Sequence, residues 1–189
     1  MLNKTILVLL NGHAGVGKDT FVRFCKQYAE SQACKVYNLH RSDAPKMALQ
    51  TLGWNGDKDE ETRSLLKTMV DYMESKNLLN KYLDSQIQAA KTINKSSIIF
   101  YHVRDPEVMY RLMGAYIVKE GIKPISVLIK RNLNNSQEPD EWWGNVENAD
   151  YTATIQLPDD DLTTTERLAW EFVDFLLGQD WYIRRGERE

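Results

Sequence analysis

From Gly12 to Thr20 the chain reads G-H-A-G-V-G-K-D-T. Glycines let backbone N–H groups converge on an anion, a helix N-terminus adds its dipole, and a lysine neutralises the outer phosphates. The chemistry of such a segment is polyphosphate binding. From average residue usage a bare G-x-x-x-x-G-K arises by chance in roughly 5% of chains this long, so the flanks decide. An apolar run, Ile6–Leu10, precedes the segment, and Phe21, Phe24, Cys25, Tyr28 and Ala29 follow it at helical spacing. Strand, glycine-rich turn and helix together make a phosphate-binding loop, or P-loop. Gly12, His13, Ala14, Gly15, Val16, Gly17, Lys18, Asp19 and Thr20 form the expected nucleotide cradle, with the His13 side chain exposed and incidental.

The loop departs from the usual ending at one place. Lys18 is followed by Asp19 and only then by Thr20, where a hydroxyl normally comes directly after the lysine to meet Mg²⁺. A carboxylate is also a hard oxygen ligand, so Asp19, with Thr20, is a candidate metal residue. The alternative is that Asp19 only favours a helix N-terminus.

Positioning these residues requires an alternation of strands and helices, which the periodicity supplies. Val36–Leu39, Ile98–Val103, Ile125–Ile129 and Thr152–Leu157 read as further strands. Helices are expected from Pro45 to Leu52, over 59–75 with Leu66, Met69, Val70 and Met73 inward, and over 80–93 with Leu83, Ile87 and Ala90 inward. Another opens at Asp105-Pro106, carries Met109, Leu112, Met113 and Tyr116, and stops at Gly121. Thr163-x-x-Glu166 predicts a capping box ahead of Leu168, Ala169, Phe172, Val173 and Leu176. Such alternation implies an α/β/α sandwich around a parallel sheet of five strands. Ligands in these folds sit at the carboxyl ends of the strands. The P-loop, the residues after Leu39 and the residues after Val103 all fall there.

The G-K-D-T ending after a short strand resembles the P-loop of the deoxynucleoside monophosphate kinases of phages and bacteria. Gly53-Trp54-Asn55-Gly56-Asp57-Lys58-Asp59, with Arg63 and Leu66 downstream, is similar to that family's tryptophan–lysine–aspartate stretch in the region receiving the monophosphate. Val103-Arg104 with Glu107 is a third, weaker likeness, and the order of elements agrees along most of the chain. The resemblance implies a nucleoside-monophosphate-kinase-like fold in one domain over 1–189, with an acceptor-binding helical insert about 41–79 and a lid about 131–148. It implies ATP and Mg²⁺ as cofactors. The reaction would be transfer of the γ-phosphate to a phosphorylated small molecule, most simply a (deoxy)nucleoside monophosphate. The G-K-D ending also occurs in the animal type of phosphomevalonate kinase, so it does not fix the acceptor.

Physical chemistry points to the same residues. An acceptor bearing its own phosphate needs cations that hold it in line with the donor. Arg63, one turn before Leu66, can lean over a cleft rim, and Lys58 can be turned inward by its loop; Arg41, at the end of the second strand, and Arg104 are further contacts. Trp54 belongs to the acceptor region through the resemblance. Alternatively Asp59, Arg63 and Lys67 pair along a solvated helix face, and Arg104 pairs with Glu107. Arg131, just past the fourth strand, is the candidate to stabilise charge on the transferred phosphoryl group, as a lid arginine does in small kinases. Trp142-Trp143 either closes over a base or anchors its loop. With Lys18, Arg63 and Arg131 are the expected catalytic residues.

One position breaks the family pattern. P-loop enzymes commonly end the third strand in an aspartate that orders Mg²⁺ through water, and here His102 stands there. Neutral imidazole is a poor substitute for a hard-ion ligand. Asp105 either reaches back to the metal or simply caps the helix at Pro106. His102 keeps open a second class, a nucleotide-binding module without kinase turnover.

Composition excludes several other functions. The 189 residues are 42% hydrophobic and 27% charged, an ordinary globular balance with a net charge of -3. No basic field draws the chain to nucleic acid, and no apolar run approaches the ~20 residues that span a bilayer. Only Cys25 and Cys34 are present, without a metal-ligand spacing, and Leu2–Leu10 passes into the first strand without a cleavage region. A reduced, cytoplasmic protein is expected, monomer or homodimer, binding neither nucleic acid nor membrane.

Overall fold

The computed structural model describes residues 4–57, 59–93, 95–119, 122–131 and 146–178. Five strands, β1 (Thr5–Asn11), β2 (Lys35–His40), β3 (Ser97–His102), β4 (Ile122–Arg131) and β5 (Ala153–Leu157), form one parallel sheet in the order β2-β3-β1-β4-β5. The helices are α1 (Lys18–Ser31), α2 (Asp43–Thr51), α3 (Glu60–Ser75), α4 (Leu78–Thr92), α5 (Pro106–Ile117) and α6 (Leu162–Leu177). The α/β fold with a five-stranded parallel sheet is as expected.

Alternate residues of the central strands feed two cores. Ile6, Val8 and Leu10 of β1, with Ile98 and Phe100 of β3, pack beneath α1 and α6. Leu7 and Leu9, with Ile99 and Tyr101, face α4 and α5. Burial on both faces is why these strands read as unbroken apolar runs. The face parity carries to the strand ends: Asn38, His40 and His102 continue the α1 side, and His40 lies directly opposite His102 in the β2–β3 register.

Several boundaries differ from expectation for local reasons. α2 begins at Asp43, two residues before Pro45. Proline is tolerated there because the first-turn N–H groups have no partner within the helix. β4 extends back through Pro124, which β1 flanks on one side while β5 pairs only from Val127 onward. The missing N–H therefore removes no bond to β5. The cap of α6 is Asp161, not Thr163: its Oδ1 accepts from Thr164 N at 2.9 Å, which leaves Thr163 inside the helix. Asp105 caps α5, accepting from Glu107 N at 2.9 Å, so the capping reading of Asp105 holds. Of the α3 stripe only Leu66 is fully buried, because α3 packs on α2 and α4, outside the sheet layers. Gly121, the segment 132–145 with Trp142-Trp143, and the C-terminal tail lie outside the described residues, as does Lys58. No helix among the described residues is long and apolar enough to cross a membrane.

Phe172 is the joint between α6 and the sheet. It is 2% exposed and meets the rings of Phe21 and Phe100 at centroid distances of 5.8 and 6.5 Å. Phe172→Ala is expected to destabilise the protein by about 3–5 kcal/mol, read as a lower urea midpoint at unchanged slope.

Candidate functional site

The loop after β1 is set by two backbone constraints. Gly12 has φ 142° and Gly17 has φ 95°, left-handed values that L side chains rarely adopt. A Cβ on Gly12 would lie 2.5 Å from Ile129 O of β4, and one on Gly17 3.2 Å from Arg131 Nη2. The loop therefore lies directly on the end of β4, with the Arg131 guanidinium beside the start of α1. The first bond of α1 runs from Phe21 N to Gly17 O at 2.9 Å. The amides of Lys18, Asp19 and Thr20 precede it, as orphan donors do at a helix start.

Lys18 folds back over this cradle. Its Nζ donates to the carbonyl oxygens of Gly12 and His13, both at 2.6 Å. Burial, reinforced by the nearby Arg104 and opposed by Asp19, lowers its pKa to about 8. An ammonium held by neutral carbonyls alone is poorly compensated, and a bound polyphosphate supplies the missing charge.

A cavity of about 550 Å³ opens from the loop toward α3 and α5. Asn11, Gly12, His13 and Ala14 form one wall, and Arg41, Lys67, Arg104, Asp71, Glu74 and Asp105 supply charged groups around it. Val70, Val108 and Val146 are its apolar lining. Arg41 is paired with Glu74 at 2.7 Å, and Glu74 also holds Arg111. The Nε atoms of Arg41 and Arg131 are buried without a hydrogen-bond partner. Two guanidiniums with a spare buried donor thus stand at the two ends of the site.

The expected residues are distributed as follows. Arg41 and Arg104 line the cavity, together with Lys67. Arg63 does not: it is exposed, on the same helical stripe as Lys67, one turn or about 6 Å further out. Trp54 lies away from the lining and donates its Nε1 to Asp57 O at 2.9 Å. Arg131 closes β4, where it reaches the P-loop directly. His13 is half-buried and lines the cavity instead of standing exposed. Asn11, Asp71 and Glu74 were not legible as site residues. Asn11 is 2% exposed, donates to Arg104 O at 3.1 Å and accepts from Gly12 N at 2.7 Å. Its polar type directly after the apolar run Ile6–Leu10 is the signal that marks it.

Asp19 stands at the start of α1 with its carboxylate turned toward β2 and β3. Its Oδ1 lies 3.4 Å from Asn38 Nδ2, 3.4 Å from His40 Nε2 and 3.8 Å from His102 Nε2. The two imidazoles stack at 3.9 Å. Burial, the adjacent His40 and Lys18 outweigh Asp19 and lower the His102 pKa to about 3, so His102 is neutral at neutral pH. Mg²⁺ requires oxygen ligands in a near-octahedral shell. The three side-chain atoms nearest Asp19 Oδ1 are all nitrogens, so any Mg²⁺ held by Asp19 and Thr20 would draw its remaining oxygens from water and phosphate.

No protein-family model and no curated protein matches this sequence. Solved structures do. The APS kinase of Mycobacterium tuberculosis, in complex with AMPPNP and APS, is similar at 14% identity over 93% of this chain and 99% of that one, with a TM-score of 0.47. A gluconokinase from Sinorhizobium meliloti is similar at 12% identity over 93% and 94% of the chains, with a TM-score of 0.42. A de novo designed P-loop fold protein gives 11% identity and a TM-score of 0.39.

The crowding at Gly12 gives a direct check. Gly12→Ala is expected to destabilise the fold by about 1–3 kcal/mol, measured by denaturant unfolding, because Ile129 O is backbone and cannot rotate away.

Proposed function

We propose that this chain is a small-molecule kinase that transfers the γ-phosphate of ATP to a nucleoside monophosphate. The observation that carries the reading is the continuity of one cavity from a phosphate-binding loop, with Arg104 beside it, to Arg41 and Lys67 on its far walls. A donor polyphosphate on Gly12–Thr20 and an acceptor phosphate among those cations face each other across it. Asp71, Glu74 and Asp105 bring acid groups to the acceptor chamber beside Val70, Val108 and Val146. Those carboxylates can accept from the amino group of a base while the valines cover its ring, which is the ground for preferring a nucleoside monophosphate to phosphomevalonate.

In this mechanism an oxygen of the acceptor phosphate forms the new bond to the γ-phosphorus as the bond to the β,γ-bridging oxygen breaks. The attacking oxygen is already an anion, so no general base is needed. Lys18 leaves the loop carbonyls for the donor phosphates. Arg131, beside Gly17, neutralises charge on the group in transfer. Arg41 and Arg104 orient the acceptor, Lys67 closes the mouth, and Arg63 reaches over the rim from the next turn of α3. Positioning and neutralisation supply the catalysis.

The test is release of ADP from ATP against a panel of ribo- and deoxynucleoside monophosphates, run with Mg²⁺ and with Mn²⁺. Stimulation by one or a few acceptors, abolished in Lys18→Ala, is the expected result. A flat panel alongside measurable ATP binding assigns the chain instead to nucleotide binding without turnover.

Lys18 also fixes a pH dependence. Free, it loses its proton near pH 8; bound phosphates raise that value, so binding above pH 8 takes up a proton. ATP affinity is therefore expected to hold below pH 8 and to fall above it, by at most about tenfold per pH unit. Calorimetry in two buffers of different ionisation enthalpy reads the proton directly.

A further inference from the structure

The corner where α1 meets the ends of β2 and β3 holds more ligand chemistry than phosphate binding uses. Asp19 Oδ1, His40 Nε2 and His102 Nε2 all lie within 4.8 Å of one another. They come from three separate elements, placed together by the β2–β3 register and by the first turn of α1. Metal–ligand bonds of about 2.0–2.2 Å set neighbouring donors of a tetrahedral ion roughly 3.4 Å apart. The two imidazole–carboxylate separations are 3.4 and 3.8 Å. These contacts are too long for good hydrogen bonds, yet near the edge length of a coordination shell.

A fourth side chain borders the group. Asn38, two residues before His40 on the same strand face, has its Nδ2 3.4 Å from Asp19 Oδ1 and its Oδ1 2.7 Å from His102 Nε2, a hydrogen bond that coordination would replace. We propose that Asp19, His40 and His102, completed by Asn38 Oδ1, bind a first-row transition-metal dication of the Mn²⁺-to-Zn²⁺ class in preference to Mg²⁺. Imidazole nitrogen is a ligand suited to those ions, whereas Mg²⁺ takes oxygen. Binding draws the two Nε2 atoms together and splays the stacked rings. His40, with a side chain 34% exposed, has the room to turn, while the 9% exposed His102 stays fixed by its packing. Coordination requires the neutral His102 ring to carry its proton on Nδ1, since a metal-bound imidazole nitrogen carries none. The site stands whether or not the chain transfers phosphoryl groups.

Co²⁺ is the probe, because its visible absorption reports coordination number and ligand type without any turnover. Metal-free, untagged protein titrated with Co²⁺ is expected to give one saturable equivalent with tetrahedral or five-coordinate bands. Zn²⁺ at one equivalent should bleach them, and Mg²⁺ in about hundredfold excess should not. His40→Asn and Asp19→Asn, both at side chains open to solvent, should each weaken Co²⁺ binding about tenfold or more with the circular dichroism unchanged. No saturable absorption in the unaltered protein overturns the proposal, as does displacement by Mg²⁺ or equal binding in both variants. Kinase turnover is not read in this experiment, so its result and that of the ADP assay stand apart.

Discussion

Everything at this site hangs on the end of β1. The strand is central, with β3 on one side and β4 on the other, and its apolar residues fill both cores. At Asn11 the apolar run stops and a buried amide takes over. One end of that amide holds the first residue of the P-loop, and the other holds the backbone of Arg104 beyond β3. A buried amide left unpaired carries a large desolvation penalty, so both contacts are enforced. The phosphate loop and Arg104 of the cavity wall are thereby tied to a single side chain.

Charge at the site is arranged around that frame. Lys18, Arg41 and Arg131 are cations taken partly out of water, and each is under-compensated in a different way. Lys18 has carbonyls in place of an anion, Arg41 shares its carboxylate with Arg111, and Arg131 has an Nε with no acceptor. Burial of cations without full pairing is unfavourable unless a ligand supplies the anion. The phosphate-bearing reading follows from this shortage more than from any one contact.

The fold was legible because burial writes period into sequence. β1 from Ile6 to Leu10 and β3 from Ile98 to Tyr101 are unbroken apolar runs since both faces are covered, and α4 and α5 show their inward stripes at the expected positions. The P-loop was legible because left-handed φ values and close backbone approach leave glycine little competition. The acceptor side was less so. Arg63 and Lys67 occupy one stripe of α3, and only the tertiary placement of that helix decides which turn meets the cavity. Glu74 carries no local mark, because its partners Arg41 and Arg111 are far away in sequence. The same holds for His40 and His102, whose pairing is a matter of strand register, invisible until the order of strands is known. Thr163 fitted a capping box, yet Asp161 offered the stronger acceptor two residues earlier.

The Arg41–Glu74 pair governs what the cleft will accept. Glu74 is a tethered rival for the same guanidinium, present at the high local concentration that a folded chain imposes. Any incoming anion must outbid that carboxylate, so its net gain is the difference between two ion pairs, not the whole of one. A lone chloride or inorganic phosphate brings little else to offset the exchange. A larger molecule that also engages the walls does. The carboxylate thus acts as a threshold, screening passing anions so that the arginine yields only to a ligand that fits.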